Sequence, residues 1–368
     1  MRNLIFVVEN AIYENDGYKA RIEMEMTLLK KDFNFYIIVP KDKRELVFTN
    51  KVRVVVYDAF SKEVPFLMNY FSLNKCLKKL IKEIESPIII GEALPSAVAV
   101  NRICNRNSIP YVYDCHGTAP DEAYLYHKNI IGYLYKEWLR DKEKQIIDNC
   151  SLIITVSEKQ YELFRTKKKH ILMPMIPSKF FFDESFYRKQ IRYELGIPAD
   201  SNVYVYSGQN QKWQMSEETV RYFNRIKEKD KKAFLVIYTS QVEDFKTICE
   251  ANNTIDYVVK KIDYKEMPKY LDVGDYGFCL RENHIINLVA SPTKVLEYLS
   301  RGVTPIITEY VGDFSSLLPT KNLAIVVNEL NNLEVGKFHK IIRKEANEFL
   351  LDFSNKAEND YVEAMVNI

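Results

Sequence analysis

Short, predominantly apolar runs alternate along this chain with longer amphipathic stretches, and that alternation constrains the fold more than any other feature. In the first half the runs are Asn3–Val8, Phe35–Val39, Val52–Tyr57, Pro87–Gly91, Tyr111–Cys115, Ser151–Val156 and His170–Met173. In the second half they are Val203–Ser207, Ala233–Thr239, Tyr257–Lys260, Tyr276–Leu280, Thr304–Thr308 and Ala324–Val327. Strands that are apolar on both faces, with helices between them, predict parallel sheets covered on both sides. At 368 residues the chain exceeds what one hydrophobic core usually supports, so two such sheets are expected, each in a Rossmann-like α/β domain. The boundaries are drawn at 1–185 and 186–350, with 174–196 as a linker and 351–368 as a C-terminal helix packing back on the first domain.

Composition excludes several classes. The net charge is +2, with acids and bases nearly balanced, so no broad basic field speaks for nucleic acid. The six cysteines are scattered without a CxxC or a Cys/His cluster, which suggests buried thiols in a reducing compartment. The N-terminal apolar run is too short for a signal peptide, and no stretch is long enough to span a bilayer, so a cytoplasmic protein is expected. The stretch Phe66–Glu85 has Phe66, Tyr70, Leu73, Leu77, Leu80 and Ile84 at helical spacing with lysines opposite. It reads as a helix packed on a sheet. With Lys167-Lys168-Lys169 it also leaves open a peripheral association with the inner face of a membrane.

In open parallel sheets, ligands bind beyond the carboxyl ends of the strands, so the loops leaving those ends are the places to search. Glu9–Asn15 leads to Gly17, which either lets a ligand approach the backbone ahead of a helix or makes an ordinary turn. The chain has neither a GxGxxG nor a GxxxxGK[ST] pattern. The stretch Tyr113-Asp114-Cys115-His116-Gly117 places a histidine just past a strand end, with Glu122 downstream. His116 is either a ligand-facing donor that changes charge near neutral pH or a structural histidine tied to Asp114. After the first strand of the second half, Ser207, Gly208 and Lys212 could surround a phosphate, or the glycine turns and the lysine is solvated.

Residues 291–310, SPTKVLEYLSRGVTPIITEY, form a compact helix-to-strand unit. Ser291 is expected as N-cap and Pro292 at the first helical position. Lys294 puts a positive charge in a first turn that electrostatics would rather fill with an acid, which is the kind of local conflict expected at a functional site. A diphosphate at the helix start, with Arg281 upstream, would resolve it. Glu297 could then accept from the two hydroxyls of a ribose; the alternative is a plain Lys294–Glu297 pair within the helix.

The stretch SPTKVLEYLSRGVTPIIT resembles the nucleotide-binding helix of GT-B glycosyltransferases of the family 4 type (glycosyl transferases group 1). YDCHG resembles their histidine loop, DNCSLIITVSE their "aD.ii.vS" strand, and VYSGQNQKWQ the start of their second domain. The resemblance implies two Rossmann-like domains facing a central cleft, with the nucleotide sugar on the second and the acceptor on the first. It assigns Glu297 to the donor ribose, whereas Val289 replaces the family's other glutamate and Gln209 its phosphate-binding arginine. Arg281 and Lys294 would supply the missing charge, as in enzymes of bacterial surface polysaccharides (capsule, O-antigen or similar).

The implied reaction moves a sugar from a nucleotide-diphosphate donor, with a UDP-sugar expected, to a glycan or polyprenyl-linked acceptor. It would retain configuration and need neither metal nor cofactor. His116 is the expected catalytic residue; Gly208, Lys212, Arg281, Ser291, Lys294 and Glu297 the donor site; Gly17 and Glu122 the acceptor or sugar site. Two rivals remain: a nucleotide-sugar 2-epimerase, and a catalytically silent subunit that binds a glycan or a partner transferase.

Overall fold

A computed structural model describes residues 1–9, 17–42, 46–59, 66–327 and 338–368. The first unit comprises Met1–Met175 with Lys356–Ile368, and the second Ile176–Asn355. The seam thus falls ahead of the boundary drawn at 185, and the helix Arg343–Val366 begins in the second unit and ends in the first.

The first unit holds a seven-stranded sheet of β1 (Arg2–Val7), β2 (Phe33–Pro40), β3 (Val52–Tyr57), β4 (Pro87–Glu92), β5 (Tyr111–Cys115), β6 (Leu152–Thr155) and β7 (His170–Leu172). Its order is β3-β2-β1-β4-β5-β6-β7 and every pairing is parallel. The second holds β8 (Asn202–Ser207), β9 (Ala233–Tyr238), β10 (Tyr257–Lys260), β11 (Tyr276–Cys279), β12 (Thr304–Ile307) and β13 (Ile325–Val326), ordered β10-β9-β8-β11-β12-β13 and again all parallel. The fold class is therefore the one read from the alternation of apolar runs. In each sheet the strand order reverses beside the first strand, between β1 and β4 and between β8 and β11, and a crevice opens there at the carboxyl ends.

Buried side chains explain why the runs had to be apolar. Leu4 to Val7 of β1 and Ile88 to Ile90 of β4 are at most 1% exposed, sandwiched between helices on both faces. The helix Phe66–Glu83 turns Leu73, Leu77 and Leu80 into the same core, as expected of a helix packed on a sheet. In the second unit Gly277 is required by close approach: a Cβ there would stand 2.5 Å from the ring of Tyr298 on the helix Thr293–Ser300. The stretch expected as a linker is more ordered than its irregular spacing suggested. It carries a 3-10 turn, Lys179–Phe182, and a helix, Arg188–Glu194, whose Ile191 joins the second core.

Candidate functional site

Each crevice gathers a buried charged cluster, and the two differ in kind. In the first unit β4 ends in Glu92 and β5 runs through Asp114 to His116, while the helix Gly17–Leu29 contributes Arg21 and Glu25. Arg21 donates from Nε and Nη2 to the two oxygens of Asp114, at 2.8 Å each, and from Nη1 to the Met173 carbonyl. His116 Nε2 lies 2.9 Å from Asp114 and 3.1 Å from Glu92. Arg21 Nε is also 3.1 Å from Glu25, whose other oxygen accepts from the Tyr361 hydroxyl at 3.1 Å, so the C-terminal helix closes the network from below.

The electrostatics follow from burial and pairing. Burial disfavours a charge on His116, but Asp114 and Glu92 outweigh it and push the imidazole up to about 9. His116 is therefore an imidazolium at neutral pH, a fixed cation and donor, and does not change charge near neutrality as its residue type suggested. Burial pulls Asp114 upward, yet Arg21 and His116 hold it below the usual carboxylate range. Glu25 and Glu92 are raised by burial and by neighbouring acids, which lets one proton balance the three carboxylates against two cations.

Glu92, Asp114 and His116 offer ligand atoms within 4.8 Å of one another, the spacing of a cation site. Both Asp114 oxygens already accept from Arg21, which leaves the trio fewer free lone pairs for a cation. Glu122 sits beside this cluster: a Cβ on Gly117 would stand 2.6 Å from its Oε1, and burial raises its pKa. Gly17 is the first residue of the helix that carries Arg21, while the loop 10–16 before it lies outside the described residues.

In the second unit the loop leaving β8 turns at Gly208, whose φ of +145° is one that side chains rarely adopt. A Cβ there would lie 2.8 Å from Lys294 Nζ and 2.9 Å from Gln214 Oε1, so glycine is needed for the lysine to reach the loop. Lys294 Nζ donates to Gln214 Oε1 at 2.9 Å and sits 4.5 Å from the centre of the Tyr206 ring. Arg281, just past β11, is 5% exposed, and its described side-chain bond is a long one to the Leu280 carbonyl. Among the described residues no carboxylate forms an ion pair with Arg281 or Lys294. Burial, with Arg281 nearby, drops the Lys294 ammonium to about 7.

Glu297 is pushed up to about 7 by burial, against the pull of Tyr264 and Lys294, and its Oε1 accepts from the Tyr264 hydroxyl at 2.9 Å. Ser291 does not cap: the helix runs Thr293–Ser300, with extended Pro292 before it and no side-chain cap. Extended Pro292 takes the N-cap place itself and has no side-chain acceptor, so the helix begins one residue later than expected and its first-turn N–H groups have no side-chain cap. The Ser291 hydroxyl is buried there without a protein partner. Lys212 stands exposed on the turn before Trp213. Gly208, Lys294 and Arg281 are thus brought together around one spot, Glu297 lies one helical turn on, and Lys212 remains at the surface.

Residues 23–171 match the family described as Glycosyltransferase Family 4. HepE of Anabaena in complex with UDP-glucose superposes with a TM-score of 0.71 over 100% of both chains at 10% identity. Sucrose-phosphate synthase from Thermosynechococcus elongatus gives 0.69 over 100% of this chain and 94% of its own, at 13% identity. The chain has a GT-B glycosyltransferase fold. WaaG, a glycosyltransferase involved in lipopolysaccharide biosynthesis, shares it with a TM-score of 0.62 at 10% identity, covering 98% of this chain and 95% of WaaG. No curated protein matches the sequence.

Sequence reasoning missed Arg21, Glu92, Gln214 and Tyr264 at these GT-B clusters. Glu92 carried a signal, an acid closing the apolar run PIIIGE at a strand end. The others lie on stretches with no local mark, and only the chain's return in space reveals them. An open depression of about 880 Å3 at the opposite, amino-terminal ends of the first sheet, lined in part by Arg2, Lys78 and Lys82, gathers no reactive cluster.

Proposed function

We propose that this chain moves a sugar from a nucleotide-diphosphate donor, with a UDP-sugar the expected one, to a glycan or lipid-linked glycan of a bacterial surface polysaccharide. The observation that carries the reading is the pair of Arg281, buried, and Lys294, partly buried, with no carboxylate pairing them among the described residues, set beside a glycine loop and an uncapped helix start. Burying such charges is costly unless an anion compensates them, and a diphosphate supplies that charge. The donor seen with HepE, UDP-glucose, is of this class.

On this reading Lys294, Arg281 and the N–H groups opening the Thr293–Ser300 helix stabilise charge as it develops on the leaving diphosphate. The free oxygen of Glu297 accepts from the ribose, and Ser291 reaches a phosphate oxygen. In the first unit His116, held as a cation, donates to a sugar oxygen, and Glu122 with the region of Gly17 serves the acceptor. The leaving diphosphate takes the acceptor proton, configuration is retained, and no divalent ion is required.

Titration calorimetry with UDP-glucose, UDP and UMP tests the donor site. Glu297→Gln should weaken all three, because each carries the ribose, while Lys294→Ala should penalise the diphosphates most. Equal affinity of both variants for all three nucleotides would remove the reading. Turnover that vanishes in EDTA and returns with magnesium would overturn its metal-independent part.

A further inference from the structure

Six large apolar side chains stand exposed within ten residues of the first unit: Tyr126, Ile130, Ile131, Tyr133, Leu134 and Tyr135. Ile130 is 79% exposed, Ile131 77% and Leu134 63%, values that isolated surface leucines reach singly but rarely as neighbours. They occupy the turn after the helix Ala119–Tyr126 and the first turns of the helix Ile130–Asn149.

The patch is built rather than frayed. The Asn129 side chain accepts from the Gly132 N–H at 2.8 Å and caps the helix. A Cβ on Gly132 would fall 1.8 Å from the His127 carbonyl, so only glycine lets the turn fold so closely against the helix. Lys136 ties back to Asp121 at 2.8 Å, and the rings of Tyr124 and Tyr133 meet edge to face. The exposed residues are thereby presented on a fixed surface.

Charge points to the occupant. From Ala123 to Lys136 the sequence reads AYLYHKNIIGYLYK, with two lysines, a histidine and no acid. Asp121 is engaged by Lys136 and Arg140, Glu137 pairs with Arg140, and Glu9 lies close enough to Tyr135 to act on its hydroxyl. Aliphatic side chains flanked by tyrosines and lysines suit the boundary between acyl chains and anionic headgroups, where tyrosine buries its ring and keeps its hydroxyl wet. Past Lys136 the helix turns strongly charged, KEWLRDKEK, which gives the patch a sharp edge.

We infer that the turn and helix start at 126–135 dock this protein onto an anionic bilayer surface. The patch begins at the far end of the Ala119–Tyr126 helix, about 6 Å along the axis from Glu122, which sits beside Gly117. The inference deepens the proposed function, since a lipid-linked acceptor would arrive at that surface. Docking itself needs no donor, so its failure would leave the nucleotide site untouched.

The test is sedimentation of the full chain with phosphatidylcholine vesicles, with and without phosphatidylglycerol. Binding should require the anionic lipid and weaken with added potassium chloride. The triple variant Ile130→Ser, Ile131→Ser, Leu134→Ser should lose about tenfold or more of the bound fraction, with an unchanged unfolding temperature because its sites are exposed. Lys128→Glu alone should reduce binding to the anionic vesicles. A triple variant that binds as well as wild type, or a wild type that stays in the supernatant, overturns the inference. A wild-type dimer that the triple variant turns into monomer, with no vesicle binding by either, would assign the patch to a second copy instead.

Discussion

The two units each gather cations at the carboxyl ends of their sheets and treat them in opposite ways. Around β5, Arg21 and His116 are answered by Asp114, Glu92 and Glu25, all within one network that the protein completes for itself. Around β8 and β11, Lys294 and Arg281 have an amide, a ring and a backbone carbonyl for company. Coupling raises the imidazole of the first cluster to about 9, whereas isolation lowers the ammonium of the second to about 7. Cations paired to carboxylates position a residue, whereas cations without a carboxylate partner are what the proposed diphosphate site calls for.

The most severe way to break the comparison is Asp114→Asn. It strips the one carboxylate that holds both Arg21 and His116, and breaking a buried pair from one side costs about 3–5 kcal/mol. Chemical denaturation followed by a first-unit probe should show a loss of that order. A loss under about 1 kcal/mol would mean that the cluster is solvated and not closed.

Lys294→Met should do the reverse in the second unit. Glu297, one turn on, feels Lys294 but makes no ion pair with it, so removing this partly buried, poorly paired ammonium should leave the unliganded protein as stable as before or up to about 1 kcal/mol more so. UDP-glucose affinity should fall by about 1.5–3 kcal/mol, the worth of a charge-assisted hydrogen bond. A destabilised variant that binds UDP-glucose normally would show that Lys294 is structural and that the two clusters are alike.

How much of this contrast was legible beforehand depended on distance along the chain. The strands of both sheets, the helix carrying Lys294 and Glu297 and the loop of His116 were all visible, because hydrophobic period, a glycine stop and a strand end are local marks. The meeting of Gly208 with Lys294 joins residues far apart in sequence, and neither residue advertises the other. The same holds for Arg21 on Asp114. Residue type even misled at His116, since an imidazole suggests titration near neutrality and only the two carboxylates beside it fix its charge. At Ser291 the local rule for caps lost to the proline that follows.

Opposite pKa displacements give the units opposite pH slopes. His116 has a folded pKa raised from 6.5 to about 9, so the stability it contributes is complete below 6.5 and is lost as pH rises through 9. Lys294 is lowered from 10.5 to about 7, so its penalty is greatest below 7 and is relieved as pH climbs toward 10.5. Between pH 7 and 9 the difference in stability between wild type and His116→Gln should therefore shrink. That between wild type and Lys294→Met should move in favour of wild type, each by at most about 1.4 kcal/mol per pH unit. Parallel slopes would erase the distinction. Since a bound diphosphate restores the lysine's charge, UDP-glucose binding near pH 8 should take up a proton, readable as a dependence of calorimetric heat on the buffer's ionisation enthalpy.

The smallest expected effect belongs to Tyr361, the only described residue of the C-terminal helix that hydrogen-bonds to the first cluster, through Glu25. Tyr361→Phe keeps the buried ring and removes one hydroxyl, so the stability cost should be about 0.5–1.5 kcal/mol. Its value lies in where the effect travels. Burial and neighbouring acids already raise Glu25, and the Tyr361 hydroxyl is its contact on the side away from Arg21. If the network is continuous, loss of that contact shifts the proton balance among Glu25, Asp114 and Glu92, and the imidazole resonances of His116 should titrate at a displaced pH. An NMR titration of the variant that overlays on wild type would show that Tyr361 only packs, and that the closed network ends at Arg21.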